Sequence, residues 1–182
     1  MKQDLILLYS GGADSTLLLD MAFEMGYNPW CIIINYGQKH VKEVDVAVEY
    51  CSKANVSYEV LHIPMDVSSA LTDGNAKYEG VSEWHVPSRN LIFIAHAVSI
   101  AEGKGIDLIW YGANYEDREN RFPDCYQEWV YKLNQLLAIN GSIKIIVEAP
   151  LLGMTKDTIK KLLVAHNINE SEIYSGYGKE KK

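Results

Sequence analysis

The residues best suited to chemistry are Ser10-Gly11-Gly12-Ala13-Asp14-Ser15-Thr16. Two glycines permit close approach of the backbone, Ser10, Ser15 and Thr16 offer hydroxyl donors, and Asp14 stands among them. Where such a turn opens a helix, the first N–H groups have no intrahelical partners and form a cradle for phosphate. Asp14 is out of place beside an anion unless it caps the helix or holds a magnesium ion that neutralises the phosphates. The stretch is neither a P-loop, which needs a lysine after the second glycine, nor the dinucleotide fingerprint, whose three glycines are spaced.

The flanking elements supply the setting this turn needs. Residues 5–9 are a short uncharged apolar run, expected to be a strand buried on both faces. Residues 17–26 are rich in helix formers and close on Gly26. Beyond them, further strands are expected over 30–35, 57–63, 107–111 and 143–149, and helices over 41–54, 91–104, 124–140 and 156–166. Strand–helix alternation of this kind implies an α/β fold: a three-layer α/β/α, doubly wound, Rossmann-like parallel sheet of about five strands with right-handed crossovers. Residues 1–182 read as a single domain, with 167–182 a fraying tail. Ligands in such sheets bind beyond the carboxyl ends of the strands, where strand order reverses. The phosphate loop, residues 35–40, 64–87 and 112–124 all fall at that edge. Residues 64–87 are the least regular, with a short helix expected over 65–71 and the whole segment read as a flap.

Composition narrows the function further. The chain has 182 residues and a net charge of −7, which argues against salt-driven binding of bulk nucleic acid. No apolar run approaches the roughly 18 residues a membrane helix needs. Residues 1–4 lead straight into the first strand, so no secretory leader is expected. Cys31, Cys51 and Cys125 are scattered and form no Cys-x-x-Cys pair, which fits reduced thiols in the cytoplasm.

The Ser-Gly-Gly-x-Asp-Ser stretch resembles the pyrophosphate loop (PP-loop) of the ATP pyrophosphatases, enzymes that activate a carboxylate or carbonyl oxygen by adenylylation. Within that group the chain is similar to the 7-cyano-7-deazaguanine synthases of queuosine biosynthesis. Their Asp-Tyr-Gly-Gln-Arg/Lys-His motif corresponds to Asn35-Tyr36-Gly37-Gln38-Lys39-His40, and Val-Pro-Gly-Arg-Asn to Val86-Pro87-Ser88-Arg89-Asn90. Gly112-Ala113-Asn114, Phe122-Pro123-Asp124-Cys125 and Pro150-Leu151-Leu152-Gly153-Met154-Thr155-Lys156 follow in the family's order over residues 4–160.

The resemblance implies an ATP-dependent carbon–nitrogen ligase. It would adenylylate 7-carboxy-7-deazaguanine, let ammonia displace AMP to give the amide, and activate the amide again to give the nitrile, 7-cyano-7-deazaguanine (preQ0). It implies ATP with Mg2+, and leaves a homodimer open. Lys39, Arg89 and Asp124 would be catalytic; Tyr9, Ser10, Gly11, Gly12, Ala13, Asp14, Ser15, Thr16, Asn35 and Gly112 would bind ATP, with Asp14 a possible magnesium ligand. Tyr36, Gln38, His40, Asn90 and Asn114 would face the deazaguanine. Tyr36 and Tyr115 are candidates to stack on flat bases, and Cys125 lacks the paired base that a nucleophile requires.

This chain departs from the pattern. The family carries four zinc-binding cysteines after its last helix, and here Ser175-Gly176-Tyr177 stands instead, so no zinc is expected. Asn35 replaces an aspartate and Tyr126 an arginine, which leaves the exact substrate open. Two other readings stand beside the main one. One is another PP-loop enzyme, an amidating synthetase or a tRNA-modifying thiolase, which electrophoretic shift of bulk tRNA would favour. The other is a non-catalytic ATP-binding relative, which calorimetry without ATP binding would favour.

Overall fold

The computed structural model describes residues 2–39, 42–73, 85–119, 122–169 and 173. The first apolar run becomes β1 (Asp4–Leu8), the middle strand of a parallel sheet. Leu5, Ile6 and Leu7 are completely buried because helices cover both faces of the strand. β2 (Asn28–Asn35) and β3 (Ser57–His62) lie to one side, β4 (Leu108–Trp110) and β5 (Ile146–Glu148) to the other, in the order β3-β2-β1-β4-β5. The chain winds outward through β2 and β3 and then crosses back to β4. Strand order therefore reverses between β1 and β4, which pair through Ile6–Ile109 and Leu7–Trp110.

Successive residues of a strand face opposite sides, so β1 feeds two cores. Leu5, Leu7 and Tyr9 pack with α1 (Ala13–Glu24), α2 (Lys42–Lys53) and α6 (Lys156–Ala165). Ile6 packs with α3 (Arg89–Lys104) and α5 (Gln127–Asn140) on the other face. This is the expected α/β/α sandwich with five strands. It also brings Cys31 and Cys51, remote in sequence, into the same core. There the Cys31 thiol is pushed up, first by its hydrogen bond with Cys51 and then by burial.

Several local expectations need correcting. α1 begins at Ala13, so Asp14, Ser15 and Thr16 are helical, and no side chain caps it; Asp14 is not the cap. No helix forms over 65–71; the Thr72 hydroxyl donates to the Val67 carbonyl at 2.5 Å and accepts from the Ser69 N–H at 2.9 Å. Short polar side chains here compete with helical pairing for the backbone. The charged stretch after Gly112 contains a short helix, α4 (Tyr115–Glu119), whose Asp117 N–H is received by Asn114 Oδ1 at 3.1 Å. Asp124 does not start α5: it lies in a separate 3-10 turn, Pro123–Cys125, and α5 follows from Gln127.

At the sheet's outer edge, α5 protects β5. Asn134 donates to the Val147 carbonyl and accepts from the Val147 N–H, both at 2.8 Å, in place of another strand. At the carboxyl end of α6, His166 Nδ1 lies 2.6 Å from Asp20 and 3.4 Å from Glu24 of α1, tying the last helix to the first. Among the described residues no helix is long and apolar enough to cross a membrane.

Candidate functional site

The loop between β1 and α1 sits at the point where strand order reverses. Gly11 adopts φ +77°, and a Cβ there would lie 3.1 Å from both Cβ and N of Ala47. Its missing side chain therefore lets α2 press against the loop from behind. Gly12 is extended (φ −83°, ψ 172°) and half-buried, and its carbonyl accepts the Thr16 N–H at 3.0 Å.

Two of the three hydroxyls turn inward. Thr16 is fully buried, with Oγ1 3.2 Å from the hydroxyl of the buried Tyr9. Ser15 is 3% exposed and donates to the Gly12 carbonyl at 3.1 Å. These contacts, with Ser10 N–H donating to Ser15 Oγ at 3.2 Å, brace the loop from the protein side. Ser10 alone of the three is exposed, beside half-buried Gly12, Ala13 and Asp14.

Across the switch point, Asn114 Nδ2 donates to Asp14 Oδ2 at 2.7 Å. Asn114 is completely buried, so its amide is committed to Asp14 and Asp117 behind the open face. Gly112 lies against α1 at ordinary packing distance: a Cβ there would be 3.4 Å from Asp14 Cβ. The Asp14 carboxyl is raised above its ordinary value by burial, opposed by the Asn114 hydrogen bond and Lys156. Burial likewise raises Asp117; Lys156, 3.6 Å from it, opposes this, and Asp14 adds to it. Lys156 N–H donates to both oxygens of Glu116, at 2.8 and 2.9 Å, which joins the Pro150–Lys156 motif to α4.

The other motifs form the adjoining wall. At the end of β2, Asn35 Oδ1 accepts from the Gly37 N–H at 3.2 Å and Gln38 Oε1 from the Tyr36 N–H at 2.9 Å. Gln38 is 4% exposed and thus sets the turn, while the Lys39 side chain beyond it is exposed. Tyr36 is buried, tilted on Phe93 with centroids 5.5 Å apart. The Arg89 guanidinium lies 5.6 Å from the Tyr36 ring centre and donates to its hydroxyl at 3.4 Å. Tyr36 is therefore a platform for Arg89; Tyr115 is exposed. Ser88 starts α3 at φ +55°, a left-handed conformation that glycine adopts freely.

Asn90 Nδ2 donates a short hydrogen bond to Asp124 Oδ2, and the Tyr111 hydroxyl donates to the Asp124 carbonyl at 2.5 Å. Burial, then Asp124 and Asp117, push the Cys125 thiol far up, so this cysteine is held protonated. His40 lies outside the described residues, as do 74–84 of the expected flap and most of the tail.

Two residues at this edge gave no sequence signal of their own. His85 stacks on Phe122, with centroids 5.6 Å apart and planes 12° apart. Glu43, in the first turn of α2, is half-buried; burial raises its carboxyl to about 7 against the opposing effect of Arg89. A cavity of about 490 Å³ opens elsewhere, lined by Met21, Met25, Trp110, Val130, Ile146 and other residues; none of the phosphate loop lines it.

Comparison with known proteins gives concordant results. The family described as "Queuosine biosynthesis protein QueC" matches residues 4–182. The 7-cyano-7-deazaguanine synthase of Psychromonas ingrahamii is 32% identical, with all of this chain and 87% of that protein aligned. The protein of the same name from Pseudoalteromonas translucida is 31% identical over all of this chain and 88% of its own length. Among solved structures, the U34-tRNA thiolase NcsA of Methanococcus maripaludis, with its [4Fe-4S] cluster, superposes with a TM-score of 0.58 at 19% identity. The alignment covers 97% of this chain and 60% of that one. A predicted tRNA methyltransferase subunit of Methanocaldococcus jannaschii gives 0.59 at 21% identity, covering 89% and 74%. At these identities the two structures share the fold.

Proposed function

Since this chain belongs to the QueC family of queuosine biosynthesis proteins, we propose that it is an ATP-dependent carbon–nitrogen ligase that makes 7-cyano-7-deazaguanine from 7-carboxy-7-deazaguanine and ammonia. The observation that carries this reading is the open loop at the switch point. The hydroxyls of Ser15 and Thr16 brace it from within, and its rim, exposed Ser10 with half-buried Gly12 and Ala13, lies at the start of α1. Backbone N–H groups at that helix start hold the phosphates of ATP. The loop is fixed before ATP arrives, so little is lost in ordering it.

Two anions, the triphosphate and the substrate carboxylate, must meet there without repelling. Arg89, steadied by Tyr36, supplies a fork of donors, and exposed Lys39 a second positive charge. Asn90 and Asp124 are joined by a hydrogen bond and present donor and acceptor groups to the deazaguanine edge.

Asp14 is the residue that would hold magnesium: its carboxyl and that of Asp117 are half-buried and raised first by burial, Asp14 raises Asp117 further, and the Lys156 charge opposes the rise in both. When bound, the ion would shield the phosphate charge and aid departure of pyrophosphate. The test is mass spectrometry of the products from 7-carboxy-7-deazaguanine, ATP, magnesium and ammonia. The nitrile, with AMP and pyrophosphate, is expected. The amide as end product would restrict the enzyme to one activation, and an unchanged acid with ATP bound would overturn the reading.

A further inference from the structure

Three ligating side chains converge at the far end of α1 from the phosphate loop. Asp20 and Glu24 stand four residues apart and so share one face of that helix. His166, which closes α6, turns its imidazole toward both. Nδ1 lies 2.6 Å from Asp20 Oδ2 and 3.4 Å from Glu24 Oε1, and the three ligating atoms all fall within 4.8 Å of one another. The His166 side chain is 14% exposed, Asp20 34% and Glu24 65%, so the group is rooted in the seam between the two helices and opens to solvent at Glu24. The placement calls for a cation. Glu24 is the last residue of α1 and His166 follows the last residue of α6, so two helix C-termini, each with partial negative charge, meet at two carboxylates. Neither helix has a basic residue in its last turn to offset them.

We propose that Asp20, Glu24 and His166 form a binding site for a divalent cation of the zinc type, which clips the last helix to the first. One imidazole nitrogen with two carboxylate oxygens suits Zn2+ better than Mg2+, which takes oxygen ligands. Ligands on a tetrahedral zinc ion stand roughly 3.3–3.4 Å apart, and the His166–Glu24 pair already has that separation. The closer His166–Asp20 contact is the spacing of a proton-bridged pair. The metal replaces that bridging proton, which passes to solvent, and the partly exposed Asp20 side chain draws back by less than an ångström. Water takes the remaining position on the open Glu24 side. Asp20 lies eight residues beyond Gly12, about 12 Å along the helix, so the ion is remote from the phosphates and acts on the fold. The sequence expectation of no zinc concerned four cysteines after the last helix; this site is built from other residue types, two of them on α1.

The test uses the untagged full chain, stripped with chelator and titrated with zinc by calorimetry and with cobalt by visible absorption. One equivalent of zinc should bind in the presence of excess magnesium. At a hundredfold excess over Kd, zinc should raise Tm by about 5–10 °C. Glu24→Gln and His166→Gln should each weaken zinc binding by more than the roughly 10–100-fold that loss of an outer-shell partner costs. Asp14→Asn, at the phosphate loop, should leave it unchanged. Glu24→Gln alters one exposed side chain, so it serves as the clean variant if His166→Gln melts early. No zinc uptake by the wild-type chain at millimolar metal would reduce the cluster to a proton-bridged ion pair and overturn the site. Equal uptake by Glu24→Gln and wild type, or uptake lost in Asp14→Asn, would put the ion elsewhere and overturn it too. None of these readouts depends on the ligase reading.

Discussion

Replacing Gly11 with alanine tests the geometry on which the phosphate loop depends. Two costs add. The residue sits at φ +77°, where an L side chain costs about 1–2 kcal/mol. The new Cβ would also stand 3.1 Å from Ala47 N and Cβ and 3.2 Å from its Cα. Two of those three atoms are helix backbone, so no rotamer change relieves the contact. α2 must move, and overpacking of this kind costs about 1–3 kcal/mol. The sum is about 2–5 kcal/mol, or roughly 4–20 °C in Tm for a domain this size. The control is Gly112→Ala, whose Cβ would meet Asp14 Cβ at an ordinary 3.4 Å and whose cost should stay under about 1 kcal/mol. Urea and thermal unfolding of the two variants measure the difference. A Gly11→Ala loss below about 1 kcal/mol, or equal losses in both, would refute the account of α2 buttressing the loop.

Ser88→Gly should stabilise the chain by about 1 kcal/mol, seen as a higher urea midpoint, because Ser88 stands at φ +55° in a left-handed position. Asn134→Ala uncovers the N–H and C=O of Val147; about 2–3 kcal/mol should be lost, and light scattering should detect self-association through the bared β5 edge. Glu43 titrates at about 7 in the fold against an ordinary 4.5, so the native state holds its proton more tightly than the unfolded chain. Its contribution is full below pH 4.5 and is lost as pH rises through 7; Glu43→Gln should therefore gain roughly 2–3 kcal/mol on wild type at pH 8 and nothing at pH 4.

The sheet and most helices were legible because their signals are local. Leu5 to Leu8 have no helix period and are short enough for a buried strand, and the glycine pair before Ala13 marks the turn into a helix start. What stayed hidden depends on residues far apart. α4 reads as a charged loop because its fixed points, Asn114 beneath Asp14 and Lys156 N–H on Glu116, come from remote segments. The inward turn of Ser15 and Thr16 follows from Tyr9 and the Gly12 carbonyl, and hydroxyls carry no mark of which way they face. Glu43 looks like any helix-surface acid until the fold half-buries it and sets the Arg89 charge to act on it. Glycines were readable as loop formers, but which surface Gly11 approaches, Ala47 rather than a ligand, required the packed fold.

The acids at this edge share one energetic feature. Asp14, Asp117 and Glu43 are all raised above their ordinary values, and in each the first cause is burial. Ionising them therefore opposes folding, and a site that retains such groups trades stability for function. For Asp14 the trade can be measured. Its native pKa lies above the unfolded value, so its share of stability is lost as pH rises through the folded pKa, and at pH 8 the ionised carboxylate is a net cost. Asp14→Asn keeps an oxygen for Asn114 Nδ2 and removes that charge, so Tm without ligand at pH 8 should rise. Binding of ATP with magnesium would stabilise the wild-type chain by RT ln(1 + ligand/Kd). The variant should lose most of that magnesium-dependent shift, because the carboxylate proposed to hold the ion is gone. A lower unliganded Tm would show that the Asp14 charge supports the fold, and an undiminished magnesium-dependent shift would remove Asp14 from the metal's reach.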